Sequence, residues 1–328
     1  MKTWRAFFFF LGWSLVGAMT LWGTPIGTLK TTQALYPRTD LNMVVGGIPL
    51  EPGMGLTSWT ALVPLPPAKP GRAPDFLALG EMVLLEEEVP SAQAELKRRS
   101  FQVEALLGPY LNGSPAVKHL YFSAQGPQGR LAEGLKALGR ILALSQPRPG
   151  KTPSLVPLRR ASPTPSPTPN PLKSPEVLWT QVEAVLGPGE RVGKLLNYVI
   201  PRGEAALKGG VELPVALGVG TEFHFQRVEG LVMGEKRPLG LAPKATQPVV
   251  AVTGQFALQL EEIEPVRAYL TRQGVTVMEA QGHLEVSPRL TFMDFWVVGS
   301  PEEIARTLKE ALEKTGSLKP TSLQTQTH

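Results

Sequence analysis

Two polar side chains near the C-terminal end of the chain have types and spacing that could support chemistry. His283 follows the strand-like run "VTVMEA", and Asp294 lies in the next apolar run, "LTFMDFW", after a short turn. An imidazole and a carboxylate on neighbouring segments can share a divalent metal ion, or can pass protons as a general acid and base. The alternative is that both are ordinary polar residues at the ends of strands.

The composition bounds the classes of function. The chain has 328 residues, 42% of them apolar, and this is long enough for two domains with their own cores. Its net charge is +5, and two of the positive charges, Lys2 and Arg5, lie in the N-terminal segment. The remainder is close to neutral, which argues against a nucleic-acid partner. The absence of cysteine excludes disulfides, thiolate metal ligands and a cysteine nucleophile.

The N-terminal residues have the features of an export signal. Lys2 and Arg5 precede an apolar run from Phe7 to Trp22, which is followed by the small residue Gly23. Residues 1–23 are therefore predicted to be a signal peptide that is cleaved, or alternatively an N-terminal anchor that is retained. Either alternative places the rest of the chain outside the cytoplasm, in the periplasm, in the cell envelope or secreted. Contact with a membrane is predicted only through this segment.

A proline-rich stretch divides the remainder. Proline occupies almost every second position of "SPTPSPTPNP", within residues 147–175. Because proline lacks a backbone N–H and clashes with a preceding helical turn, this stretch is predicted to be an extended linker. It separates a first repeat, 31–146, from a second repeat, 176–316. A polar tail, 317–328, follows.

The two repeats resemble each other in order and in spacing. Gly80 aligns with Gly254 and Glu88 with Glu262. Strand-like and helix-like patterns follow in the order β-α-β-β-α in each repeat. This order predicts an α+β fold made of two tandem copies, each a β-rich lead-in followed by a ferredoxin-like, split βαβ module. Since each antiparallel sheet would expose one face, we expect the two copies to pack pseudo-symmetrically against each other.

The motifs that recur in the two repeats are similar to those of the LppY/LpqO family of secreted proteins, whose shared domain has no known function. They are "PRTDLNMVVGGIPLEPGMGLTSW", "GEMVLLEEEV", "GQFALQLEEIEPV", "GVTVMEAQGHL" and "SPRLTFMDFW". The resemblance runs from about residue 31 to about residue 316. It implies three histidine positions in each repeat, and this chain has Leu107, Pro109 and Tyr121 in the first and Gln281, His283 and Asp294 in the second. Five of the six positions therefore lack histidine.

The most specific remaining hypothesis is a single residual metal site in the second repeat. Glu262, His283 and Asp294 would bind a divalent ion such as zinc or manganese weakly, if they converge. The alternative is that Glu262 caps a helix, His283 lies in a surface turn and Asp294 is a satisfied strand residue. His119 and His224 are isolated in strands and are interpreted as packed or exposed residues. No catalytic residue and no other cofactor site is predicted.

The function predicted from these observations is that of a secreted or envelope-associated binding or scaffold protein without catalysis. Its partner would be an envelope component or a small ligand. The alternative is a metal-dependent hydrolase with one residual site in the second repeat, where the ion would lower the pKa of bound water. The chain has no phosphate-binding glycine loop and no G-x-S-x-G nucleophile motif, so neither a nucleotide site nor a serine hydrolase is predicted.

Overall fold

The computed structural model describes residues 31–67, 73–144, 175–228 and 249–318. The predicted signal or anchor, 1–23, lies outside these residues. The predicted linker up to Ser174 and the predicted tail from Lys319 also lie outside them. Within the described ranges, none of the helices combines the length and the apolarity needed to cross a bilayer.

The first half forms a five-stranded antiparallel sheet with two helices. Its strands are β1 (Thr32–Pro37), β2 (Val44–Val45), β3 (Ile48–Pro49), β4 (Thr57–Pro64), β5 (Phe76–Leu85), β6 (Gln102–Leu107) and β7 (Val117–Gly126). Its helices are α1 (Val89–Arg98) and α2 (Gln128–Leu144). The strand order in the sheet is β1-β4-β5-β7-β6, and β2 pairs with β3 as a separate small ribbon.

The second half forms a six-stranded antiparallel sheet with three helices. Its strands are β8 (Glu190–Val192), β9 (Leu195–Ile200), β10 (Leu207–Lys208), β11 (Val211–Glu212), β12 (Thr221–Val228), β13 (Val249–Leu258), β14 (Thr276–Val277) and β15 (Thr291–Gly299). Its helices are α3 (Pro175–Leu186), α4 (Ile263–Arg272) and α5 (Pro301–Leu312). The strand order is β14-β15-β13-β12-β9-β8, and β10 pairs with β11 separately.

The predicted α+β class is confirmed, and the order β-α-β-β-α is present in each half. The central strands also have the same arrangement, β4-β5-β7-β6 in one sheet and β12-β13-β15-β14 in the other. The duplication that would explain this likeness stays a prediction.

One predicted strand is shorter than expected. The run "VTVMEA" is paired only at Thr276 and Val277. Further along, the N–H of Met278 donates to the carbonyl of Asp294, and the N–H of Gln281 donates to the carbonyl of Phe292. The chain therefore advances three residues on one side while it advances two on the other. The extra residue is a bulge, and it ends the regular ladder where His283 approaches.

Each sheet is covered by helices on one face only. In the first half, α1 and α2 pack on a core that includes Leu96, Phe122 and Leu138. In the second half, α3, α4 and α5 pack on a core that includes Phe223, Phe256 and Phe295. The opposite faces of the two sheets are apolar as well, and they meet at the centre of the molecule.

Two apolar clusters join the halves, and each uses a lead-in segment of one half to cover the sheet of the other. Residues 206–219 of the second half pack on Trp59, Leu77 and Leu79 of the first sheet. Residues 41–56 of the first half pack with Ala251 and Trp296 of the second sheet. This exchange gives the pseudo-symmetric packing expected for two sheets that each have one uncovered face.

The two Pro-Arg motifs are Pro37-Arg38 and Pro201-Arg202. Each arginine connects the β-rich segment at the beginning of its half to the acidic start of a helix. Arg38, only 1% exposed, donates to the carbonyl of Val83 at 2.6 Å and to Glu88 at 2.8 Å. Arg202 makes the equivalent bonds, to the carbonyl of Ala257 at 2.8 Å and to Glu262 at 2.7 Å. The two buried ion pairs therefore explain why "PR" and the acidic helix starts occur together in both halves.

Candidate functional site

A cavity of about 610 Å³ lies between the two sheets and is lined by residues of both halves. Two rows of side chains face it because cross-strand neighbours share one face of a sheet. In the first sheet, Glu81 is in register with Trp59 and with Tyr121. In the second sheet, the row in register consists of Glu222, Gln255 and Asp294. Strand alternation therefore directs both rows to the space between the sheets.

The centre of the first row is a carboxylate–imidazole pair. Glu81 Oε1 lies 2.5 Å from His119 Nδ1, and Glu81 Oε2 accepts a hydrogen bond from the Trp59 indole at 2.8 Å. Burial alone would raise the pKa of Glu81, but the hydrogen bonds and the charges around it, led by those of His119, outweigh burial and lower it. Burial likewise opposes the charge on His119, yet Glu81 raises the pKa of this imidazole overall. The two side chains form a buried ion pair.

The other ring nitrogen of His119 is unusual. Nε2 is buried and has no hydrogen-bond partner among the described residues, although buried polar atoms nearly always have one. His119 is 7% exposed and lines the cavity beside the ring of Tyr110, with centroids 4.6 Å apart. A buried donor without a partner marks a place where a bound group is expected.

Asp294 lines the same cavity as His119. Its carboxylate interacts with the charges of His119, Glu81 and Glu222, but it makes no hydrogen bond within the described part of the chain. Burial raises the pKa of Asp294 from its ordinary 3.8 to about 6, and the neighbouring carboxylates add to this while His119 opposes it. Asp294 therefore exchanges its proton close to neutral pH.

His283 is a buried, neutral histidine. It is 2% exposed, and its Nε2 donates to the carbonyl of Gly218 at 2.9 Å. The ring stacks on Tyr121, with centroids 4.2 Å apart, and on Phe292, at 3.7 Å. Burial lowers the pKa of His283 to about 4, so the ring is uncharged at neutral pH. The interpretation that His283 lies in a surface turn is therefore wrong.

The three residues of the predicted metal site are not brought together. His283 and Asp294 line the cavity, whereas Glu262 does not. Glu262 is bound to Arg202 and accepts a hydrogen bond from the backbone N–H of Gln259 at 2.8 Å, so it caps the short 3-10 turn Leu260–Glu262 that leads into α4. No group of three or more His, Cys, Asp or Glu residues in the described ranges could hold a metal ion. The residues present therefore do not fit the predicted metal.

The sequence interpretation missed Glu81 and His119. Both were assigned to strands, and His119, Tyr121 and Glu81 do alternate correctly for one face of a sheet. The missing information was which face meets the second sheet. His224, also taken as isolated, lies at the cavity too, with Nδ1 3.1 Å from Asn197 Oδ1.

The raised pKa of Asp294 predicts an unusual pH dependence of stability. Because the folded state holds this proton more tightly than the unfolded state, the contribution of Asp294 to stability falls as pH rises from about 4 to about 6. Asp294→Asn removes this loss, so the variant should gain about 2–3 kcal/mol relative to the wild type between pH 4 and pH 7. Urea unfolding of the wild type and the variant at pH 4 and at pH 7 measures this difference in stability. A constant difference between them would contradict the shift.

Comparison with known proteins gives one match. The model of a family described as Domain of Unknown Function (DUF1259) matches residues 23–140 and 240–314. No curated protein and no solved structure matches the chain. The matched ranges include Glu81 and His119 in the first half and His283 and Asp294 in the second.

Proposed function

The chain belongs to the family described as Domain of Unknown Function (DUF1259), and we propose that it is a non-catalytic binding protein for a small polar ligand. The observation that carries this proposal is the cavity of about 610 Å³ between the sheets, whose lining includes the buried Nε2 of His119 without a hydrogen-bond partner among the described residues. Small-molecule sites typically measure roughly 300–1,000 Å³ and combine apolar walls with a few converging polar groups.

The walls of the cavity suit binding because they are held rigidly. Trp59, Tyr121 and Phe292 are buried, and the polar side chains of the two facing rows, including Glu81 and Asp294, stand on paired strands. Side chains fixed by packing and by hydrogen bonds lose little entropy when a ligand binds. The site is therefore formed before the ligand arrives.

The charges of the cavity restrict the ligand. Among the described residues, five carboxylates line it and neither lysine nor arginine does. The carboxylates are Glu81, Glu190, Glu222, Glu279 and Asp294. Since like charges repel strongly where water is excluded, the ligand carries no net negative charge.

The finer assignment to the LppY/LpqO family and a location outside the cytoplasm are parts of the same proposal. They are supported by the motifs shared with that family and by the basic and apolar N-terminal residues. The ligand would then be a small molecule or an envelope component met outside the cytoplasm. The alternative of a metal-dependent hydrolase loses support, because Glu262 is engaged by Arg202 and does not reach His283 and Asp294.

Blocking the cavity should abolish binding. Gln255 lies half-buried in the second row between Glu222 and Asp294, so an indole in its place fills the space that a ligand would use. We expect Gln255→Trp to weaken binding at least about tenfold, which corresponds to about 1.4 kcal/mol. The measurement is saturation-transfer NMR followed by calorimetry with three probe sets, namely neutral sugars and polyols, organic amines, and small organic anions.

The matched control is Gln93→Trp, which adds the same ring on the exposed surface of α1 and should bind as the wild type does. Equal binding by the blocked and the wild-type proteins would place the ligand elsewhere. Failure of all three probe sets to bind the wild-type protein would contradict the proposed function.

A further inference from the structure

Two polar groups of the cavity lining have no hydrogen-bond partner among the described residues. They are the buried Nε2 of His119 and the half-buried carboxylate of Asp294. The two side chains attract each other electrostatically, but they form neither a hydrogen bond nor an ion pair in the described part of the chain. A group placed between them must satisfy both.

The hydrogen-bonding roles of these two groups are complementary. Glu81, bonded to Nδ1, raises the pKa of His119 and so favours the charged imidazole, in which Nε2 is an N–H donor. An ionised Asp294 only accepts hydrogen bonds. The bridging group must therefore accept from His119 and donate to Asp294.

Among common ligand groups, a hydroxyl meets this requirement. It has one donor and two acceptor sites, whereas an ammonium group only donates and a carboxylate or phosphate only accepts. An ammonium would confront the N–H of His119, and an anion would confront Asp294 and Glu222. Each alternative leaves one of these two groups without a hydrogen-bond partner, which disfavours binding.

We propose that the cavity binds an uncharged polyhydroxylated molecule, a sugar or polyol, with one hydroxyl bridging His119 and Asp294. This inference rests on the proposed function and specifies its ligand class. The rest of the lining agrees with it, because the amide side chains of Asn197, Gln255 and Gln281 can donate to and accept from further hydroxyls. The absence of lysine and arginine from the described lining is also expected for a ligand without acidic groups.

The test uses the full-length protein at pH 7 with defined probes. The neutral set is glucose, N-acetylglucosamine, trehalose and myo-inositol, the amine set is choline and spermidine, and the anion set is citrate and glucose 6-phosphate. We expect at least one neutral probe to bind and the amine and anion sets to fail. Asp294→Ala should weaken the neutral probe at least about tenfold, while Glu212→Ala, an exposed carboxylate outside the cavity, should leave affinity unchanged.

Deoxy analogues of the binding probe identify the bridging hydroxyl. One analogue should lose as much affinity for the wild-type protein as Asp294→Ala costs, and the two losses should not add. If Asp294→Ala does not fold, Asp294→Asn serves instead, because it keeps the shape of the side chain. The losses of affinity caused by this variant and by the deoxy analogue should again not add, although each loss would be smaller.

Each contrary result has a distinct meaning. If only amines or only anions bind, and Gln255→Trp blocks them, the hydroxyl inference is wrong. The cavity then remains a binding site in either case, and binding of anions would also contradict the restriction on the charge of the ligand. If sugars bind equally to Asp294→Ala and to the wild type, the bridge is wrong. If no probe binds, both the inference and the proposed function are wrong.

Discussion

Replacing His283 with alanine is expected to lower the free energy of unfolding by about 2–4 kcal/mol, well beyond the effect of a surface substitution. The ring is 2% exposed and is packed between Tyr121 and Phe292. Its removal also leaves the carbonyl of Gly218 without its hydrogen bond. Chemical denaturation of the two proteins at pH 7 gives the difference.

Two further histidine variants separate the causes. His283→Phe keeps the stacked ring but loses the bond to Gly218, so it should cost about 1–2 kcal/mol. His224→Ala removes a half-buried imidazole at the same cavity and should cost at most about 1 kcal/mol. A loss within about 0.5 kcal/mol for His283→Ala would show that the ring is not packed as described.

Replacing Arg38 with leucine should be the most damaging single change, with a loss of about 3–5 kcal/mol. The side chain is 1% exposed, and its removal leaves Glu88, Asp40 and the carbonyl of Val83 without their donor. Arg202→Leu should cost a similar amount, because Glu262 and the carbonyl of Ala257 lose the equivalent bonds. Thermal and urea unfolding both report the change.

The control for this prediction is Arg306→Leu, which breaks an exposed pair with Glu302 and should change stability by no more than about 0.5 kcal/mol. In the double variant Arg38→Leu/Glu88→Gln one of the two carboxylates left without arginine is neutralised, although Asp40 remains, so the loss should be smaller than the sum of the two single losses. Additive losses would show that Arg38 and Glu88 are not energetically coupled.

Much of the fold could be predicted from local patterns. The alternation of apolar residues marks β5, β7, β13 and β15, and the helical spacing in "SPEEIARTLKEAL" marks α5. The uncovered faces of the sheets implied that the halves pack together. A capping role for Glu262 was also among the alternatives, because carboxylates favour helix starts, and its side chain caps the 3-10 turn that precedes α4.

The site was harder to predict because it depends on contacts between segments that are far apart in the sequence. His283 follows Gly282, which suggests a turn, but Gly218 and Tyr121 enclose it from other segments. His119 has the same local pattern as a packed strand residue. Its partner Glu81 lies 38 positions away, and only the register of β5 against β7 brings them together. No local signal contains that register.

The two facing rows of the cavity differ in composition, and covalent linkage of the halves is what allows this. In a dimer of identical subunits, twofold symmetry would give both walls the same residues, so that Glu81 on one wall would be matched by a second Glu81 on the other. A single chain removes that constraint. One row can then keep the Glu81–His119 pair, while the position equivalent to Tyr121 becomes the carboxylate Asp294. Broken symmetry therefore lets a donor face an acceptor, and it gives a bound molecule one preferred orientation between two nearly equivalent walls.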